Sequence, residues 1–164
     1  MEIRYLSPED DLCEVSNVYE KSWKSAYKDI IPQDYLDSIP VGQWAKNVNK
    51  SDRYNLVATE NGHIIGTCGF CRSRWKKYSG YGEIVSLYFL PEYTGNGFGK
   101  IMLDKAITEL KKLDFENILL WVLEDNFKAR KFYEKYGFTF TGEYMNDVIG
   151  GKEVREMMYV YHEK

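Results

Sequence analysis

The sequence predicts one α/β domain over residues 1–164, built as a mixed sheet with helices on both faces. Three observations carry that reading. The apolar, β-branched runs 54–60 and 63–72 are joined by Asn61-Gly62, a dipeptide that accepts positive φ and signals a hairpin. Residues 98–113 form a strong amphipathic helical pattern through Ile101, Met102, Leu103, Ala106, Ile107 and Leu110. Residues 138–145 and 153–161 alternate on either side of Gly150-Gly151, which predicts a closing hairpin. The predicted order is β-α-α-β-β-β-α-β-α-β-β.

Residues 2–6 alternate as a short strand. Ser7-Pro8-Glu9-Asp10 reads as a helix opening, with a hydroxyl cap, proline in the first turn and acids behind it. Leu12, Val15, Val18, Tyr19 and Trp23 then share one helical face. Residues 32–39 start a second helix, and 42–49 suggest a third piece. A basic aromatic loop, 74–80, precedes a strand at 83–90 that Pro91 ends. Residues 117–123 are almost wholly apolar and predict a strand buried on both faces. Asn126 caps a helix to about Tyr136, and Gly137 stops it.

At 164 residues the chain can bury a core without disulfides or metals. It is 44% hydrophobic, which excludes a disordered chain, and its net charge of −3 gives no support to a nucleic-acid partner. The N-terminus lacks an apolar targeting run, and no stretch approaches the roughly 20 apolar residues of a membrane span. The three cysteines are an odd count, so the chain reads as reduced and cytoplasmic. Cys68 and Cys71 have redox or zinc spacing. They fall inside a strand, however, with no second pair, and the histidines are only His63 and His162, so a structural role and no metal are expected.

Residues 83–100 carry the strongest functional signal. A buried strand leads to a turn, and Gly95, Gly97 and Gly99 lie at the start of the long helix. Glycine leaves amides uncovered and a helix N-terminus carries about half a positive charge, so this is an anion site suited to a phosphate or pyrophosphate. A triphosphate loop would need glycine at 94 and a hydroxyl residue at 101, where the chain has Thr94 and Ile101. A dinucleotide loop would need glycine at 100, where it has Lys100.

Thr94-Gly95-Asn96-Gly97-Phe98-Gly99 resembles the Gln/Arg-x-x-Gly-x-Gly/Ala loop of the GNAT superfamily of acyl-coenzyme A N-acyltransferases. A second block, Trp121 and its strand, then Asn126, Phe132-Tyr133 and Gly137-Phe138, matches that family in the right order. The resemblance implies a mostly antiparallel central sheet flanked by helices, acetyl-CoA as cosubstrate, and transfer to an amine of a small molecule or peptide in a ternary complex. It leaves a homodimer open. Thr94 departs from the pattern, because its side chain is shorter than the usual Gln or Arg.

By that resemblance, Gly95, Asn96, Gly97, Phe98, Gly99 and Lys100 would cradle the pyrophosphate. Leu87, Tyr88 and Phe89 would pair the pantetheine arm through backbone groups, with the Leu87 N–H polarising the thioester, and Asn126 would add a hydrogen bond. Tyr133 matches the family tyrosine that protonates the leaving thiolate. Glu83 stands where several members place a catalytic base, and burial would have to raise it from about 4.3. A glutamate on the next strand, used by other members, is replaced here by Trp121. Trp23, Tyr27, Tyr35 and Tyr144 are expected to wall the acceptor pocket. An alternative is an acyl-CoA-binding module that has lost catalysis and serves as a sensor.

Overall fold

In a computed structural model of the chain, which describes residues 1–162, the strands form one seven-stranded sheet in the order β1-β2-β3-β4-β5-β7-β6. The strands are β1 (Glu2–Tyr5), β2 (Tyr54–Glu60), β3 (His63–Arg72), β4 (Gly82–Phe89), β5 (Asn117–Leu123), β6 (Thr139–Ile149) and β7 (Lys152–His162). The helices are α1 (Leu12–Ala26), α2 (Gln33–Ser38), α3 (Phe98–Lys112) and α4 (Phe127–Tyr136). Every neighbouring pair is antiparallel except β4 and β5, which run parallel through the α3 crossover. The sheet is thus mixed and mostly antiparallel, as expected.

Side-chain partners show that both faces are covered. On β4, Ser86 and Tyr88 meet Tyr19 of α1: the Tyr19 and Ser86 hydroxyls lie 2.8 Å apart, and the Tyr19 and Tyr88 rings meet edge-on at 5.0 Å. Phe89 and Gly82 instead meet α3, through Phe98 and Leu110. A Cβ at Gly82 would stand 2.9 Å from Leu110 Cδ2, so a larger residue there would force Leu110 to shift.

Two local expectations are corrected. The α1 helix begins later than the Ser7-Pro8 signal suggests. Asp10 is drawn back by Arg4, at 2.7 and 2.8 Å, and by the Ser7 N–H, so residues 7–10 close a turn. Asp11 is the cap, accepting from the Cys13 N–H at 2.8 Å. Residues 42–49 form successive turns, not a helix.

Of the sheet's register shifts, in β2–β3, β3–β4 and β6–β7, the one in β4 shapes the site. Gly69 pairs Ser86 and Phe70 pairs Ile84, so Val85 is an extra residue bulged out of β4. Only Gly82–Ile118 and Glu83–Leu119 are in register between β4 and β5. Past the bulge the two strands separate, and the gap opens at the N-terminus of α3.

Candidate active site

A cleft of about 790 Å³ fills that gap. Its walls are β4 from Ile84 to Phe89, β5 from Leu120 to Leu123, the turn into α3, the start of α4, and Trp23 and Tyr27 from α1. The anion-loop residues and the second block, from Trp121 to Tyr133, therefore meet in one place.

At one end the α3 N-terminus has no side-chain cap. Gly97 occupies the cap position at φ +82°, and Gly95 takes φ +85°, both in the left-handed region that favours glycine. The amides of Phe98 and Gly99 have no partner among the described residues. A Cβ at Gly95 or Gly97 would meet nothing within 4 Å, so the space beside these amides is open to a ligand. This cradle fits a diphosphate. Asn96 is exposed and Phe98 packs on Phe89 and Tyr93, so both are set back from the cleft wall. Lys100 lines the cleft, but its ammonium lies 2.8 Å from Asp104, which offsets the charge expected there. The Thr94 hydroxyl donates to the Pro91 carbonyl at 2.8 Å and is turned back on its own turn.

Along the gap, β4 presents backbone groups. The Leu90 N–H donates to Ile65 O at 2.9 Å, so by the alternation of an antiparallel ladder Phe89 and Leu87 turn their polar groups away from β3. The Phe89 carbonyl accepts from the Ser22 hydroxyl at 2.7 Å. The Leu87 N–H faces the cleft, where an extended ligand arm would find a strand edge.

From α4, Asn126 lines the cleft and caps the helix, accepting from the Ala129 N–H at 3.2 Å. Tyr133 also lines it, and its hydroxyl makes no hydrogen bond to a described residue. Burial pushes that phenol well above its ordinary range, with nearby Cys68 and Tyr88 adding to the effect, so it stays protonated near neutral pH.

The acceptor end corrects three expectations. Glu83 is buried, at 1% exposure, and lies outside the cleft lining. Arg74 Nη2 donates to its Oε1 at 2.7 Å, and the Arg74 backbone N–H to its Oε2 at 2.9 Å, so both oxygens are occupied. Tyr35 seats against the closing turn of the β6–β7 hairpin, where a Cβ at Gly150 would come within 2.6 Å of Tyr35 Cβ. Tyr144 pairs with Met157, whose face carries Tyr159 and α4; Tyr144 stacks under Arg155 at 4.0 Å on the wrong side of the sheet. Trp23 and Tyr27 do line the cleft, ring against ring at 4.9 Å, and the Tyr27 hydroxyl lies 3.3 Å from that of Tyr88. Burial pushes Tyr27 up to about 12.

Sequence reasoning missed Glu156 and Asp147, two carboxylates that line the cleft beside Arg74. The register of β7 on β5 was the missing information: Leu123 opposes Glu156 and Trp121 opposes Met158, which turns Glu156 to the α1 face. Cys68 and Cys71 are buried free thiols, pushed up by burial to about 12 and 11, in keeping with a structural role. Among the described residues no helix is long and apolar enough to cross a membrane.

A strand pair that splays over a glycine-capped helix N-terminus, with a free phenol between them, defines an acyl-CoA-dependent acyltransferase. The sequence profile of the acetyltransferase (GNAT) family matches residues 14–138, and the chain belongs to that family. It is 30% identical to an uncharacterised N-acetyltransferase of Bacillus subtilis over 90% of this chain and 86% of that one. It is 29% identical to a spermidine N(1)-acetyltransferase of Thermoplasma acidophilum, over 97% and 98% of the two chains. A [ribosomal protein bS18]-alanine N-acetyltransferase of Haemophilus influenzae is 35% identical over 69% of this chain and 76% of its own. Among solved structures, a PaiA N-acetyltransferase of Thermoplasma acidophilum in complex with coenzyme A superposes with a TM-score of 0.78, at 26% identity, covering 99% of this chain and 98% of that one.

Proposed function

We propose that the protein transfers the acetyl group of acetyl-CoA directly to a primary amine of a small molecule or peptide, both substrates being bound together. The observation that carries this reading is the continuity of the cleft. One channel runs from the uncapped amides of Phe98 and Gly99, past the Leu87 N–H and the Tyr133 hydroxyl, to Trp23 and Tyr27. Two of the relatives named above act on spermidine and on a ribosomal-protein alanine, which supports an amine acceptor.

Acetyl-CoA supplies an activated acetyl thioester. Gly95, Gly97 and the first amides of α3 hold its diphosphate end. The Leu87 N–H donates to the thioester carbonyl oxygen, where negative charge develops during attack. Tyr133 donates its proton to the departing sulfur. Asn126 adds a side-chain amide donor at the same wall.

Thermal melting with acetyl-CoA, CoA, ATP and NAD tests the ligand, since a compound that binds the native state raises the melting point. A rise with both coenzyme A forms and none with ATP or NAD supports the assignment, and the reverse overturns it. Thiol release with an amine panel then tests turnover. Coenzyme binding without release for any amine would make the chain an inactive acyl-CoA-binding module.

A further inference from the structure

We propose that Glu156 is the carboxylate that takes the proton from the acceptor ammonium, and that Glu83 serves behind it by fixing Arg74. This rests on the acyl-transfer reading of the cleft. A glutamate on β5, which some members of the family use, is replaced here by Trp121. Glu156 replaces it from the neighbouring strand, since Trp121 pairs with Met158 and Glu156 is two residues along β7 on the same face. Such diagonal neighbours lie about 7 Å apart, so the two positions overlook one patch of the cleft.

The two glutamates differ in a way that separates their roles. Glu83 has both oxygens engaged by Arg74. Glu156 lines the cleft, is half-buried, and has no ion pair or hydrogen bond among the described residues. Partial burial first, and Asp147 second, raise its carboxyl above the ordinary range, while Arg74 pulls it down. The groups facing it are Asp147 on β6, Arg74 in the loop before β4, and the neutral Tyr27 hydroxyl at the C-cap of α1. Arg74 is already neutralised by Glu83, so this end of the cleft carries an excess of negative charge and draws in a cation. The Trp121 indole N–H is buried beside this end with no hydrogen-bond partner among the described residues.

The proton balance closes with these groups. Glu156 removes one proton from the bound ammonium and passes it to solvent. The freed lone pair forms the C–N bond as the C–S bond breaks. Tyr133 gives the sulfur its proton, and the second proton lost by the nitrogen restores the phenol.

The test is the pH profile of kcat/KM for the native protein, E156Q, E83Q and D147N, with any amine the panel shows to be acetylated. The acid limb of that profile reports the free enzyme's base. E156Q is expected to lose about 100-fold in kcat/KM for the amine and to lose the acid limb, while keeping the thermal shift given by CoA. D147N is expected to move the acid limb to lower pH, because removing a negative neighbour makes Glu156 easier to ionise. E83Q is expected to keep the limb. An E156Q profile within threefold of native at every pH, or an acid limb lost in E83Q and kept in E156Q, overturns the assignment. Absence of any CoA-induced shift in the native protein would instead overturn the acyl-transfer reading and this assignment with it.

Discussion

Glu83 and Arg74 face each other across the start of β4, with Arg74 Nη2 2.7 Å from Glu83 Oε1 and the Arg74 backbone N–H 2.9 Å from Oε2. Glu83 is 1% exposed, whereas nearly half of the Arg74 side chain reaches solvent. Removing one partner of such a pair leaves a buried charge uncompensated. Arg74→Met is therefore expected to destabilise the fold by about 3 kcal/mol, at the low end for a buried pair because the guanidinium is partly wet. Glu83→Gln keeps an acceptor for Arg74 and should cost less. Urea denaturation of the two variants checks the order.

Tyr133 should act on sulfur departure and not on coenzyme binding. Tyr133→Phe keeps the ring against Phe132 and Phe138, at 5.1 and 5.7 Å, and removes only the hydroxyl. The expected result is a fall of about 100-fold in kcat, with the KM for acetyl-CoA little changed. Steady-state thiol release reads both constants.

Thr94 leaves room for a gain of affinity. Its hydroxyl is spent on the Pro91 carbonyl at the edge of the glycine cradle. Arginine at this position would reach over the cradle and pair with a diphosphate. One partly exposed charge-assisted contact is worth about 1 kcal/mol, so Thr94→Arg should tighten CoA binding about fivefold. Titration calorimetry at fixed ionic strength measures it, and the gain should shrink as salt rises.

Glu109 ties α3 to β1 and sets part of the acid stability. Its carboxyl accepts from the Tyr5 hydroxyl at 2.8 Å and lies 2.9 and 3.0 Å from Lys112 and Lys105. Lys112, then Tyr5 and Lys105, hold it down from 4.5 to about 2. A carboxyl depressed in the folded state stabilises the fold above its unfolded value, and that contribution fades as the pH falls through the folded one. Glu109→Gln should thus be less stable than the native protein at pH 7. The difference should shrink between pH 4.5 and 2, as read by thermal melts across that window.

Local chemistry made much of this architecture legible. Asn126 and Gly137 bound α4 as their types predict, and the Asn61-Gly62 turn joins β2 to β3. The glycine-capped end of the cleft was readable for the same reason: glycine spacing and a helix start are both local. The acceptor end was not. Whether Glu156 faces the cleft depends on the register of β7 on β5, and whether Tyr144 or Asp147 does depends on β6 against β7, where a shift lies between Phe140 and Tyr144. Each one-residue slip inverts a side chain's face, and composition carries no trace of it. Glu83 misled in a different way. Its position matches a base by resemblance alone, and its partner Arg74 comes from a loop whose path only the folded chain reveals.

The bulge at Val85 has a mechanical corollary. Two register pairs are the whole main-chain seam between the four strands on one side of the sheet and the three on the other. Amide protons bordering the cleft should therefore trade with deuterium sooner than those inside either block. A molecule lodged in the wedge would act as a spline, stitching the halves together, so the protein should exchange most slowly when loaded and loosen each time product departs.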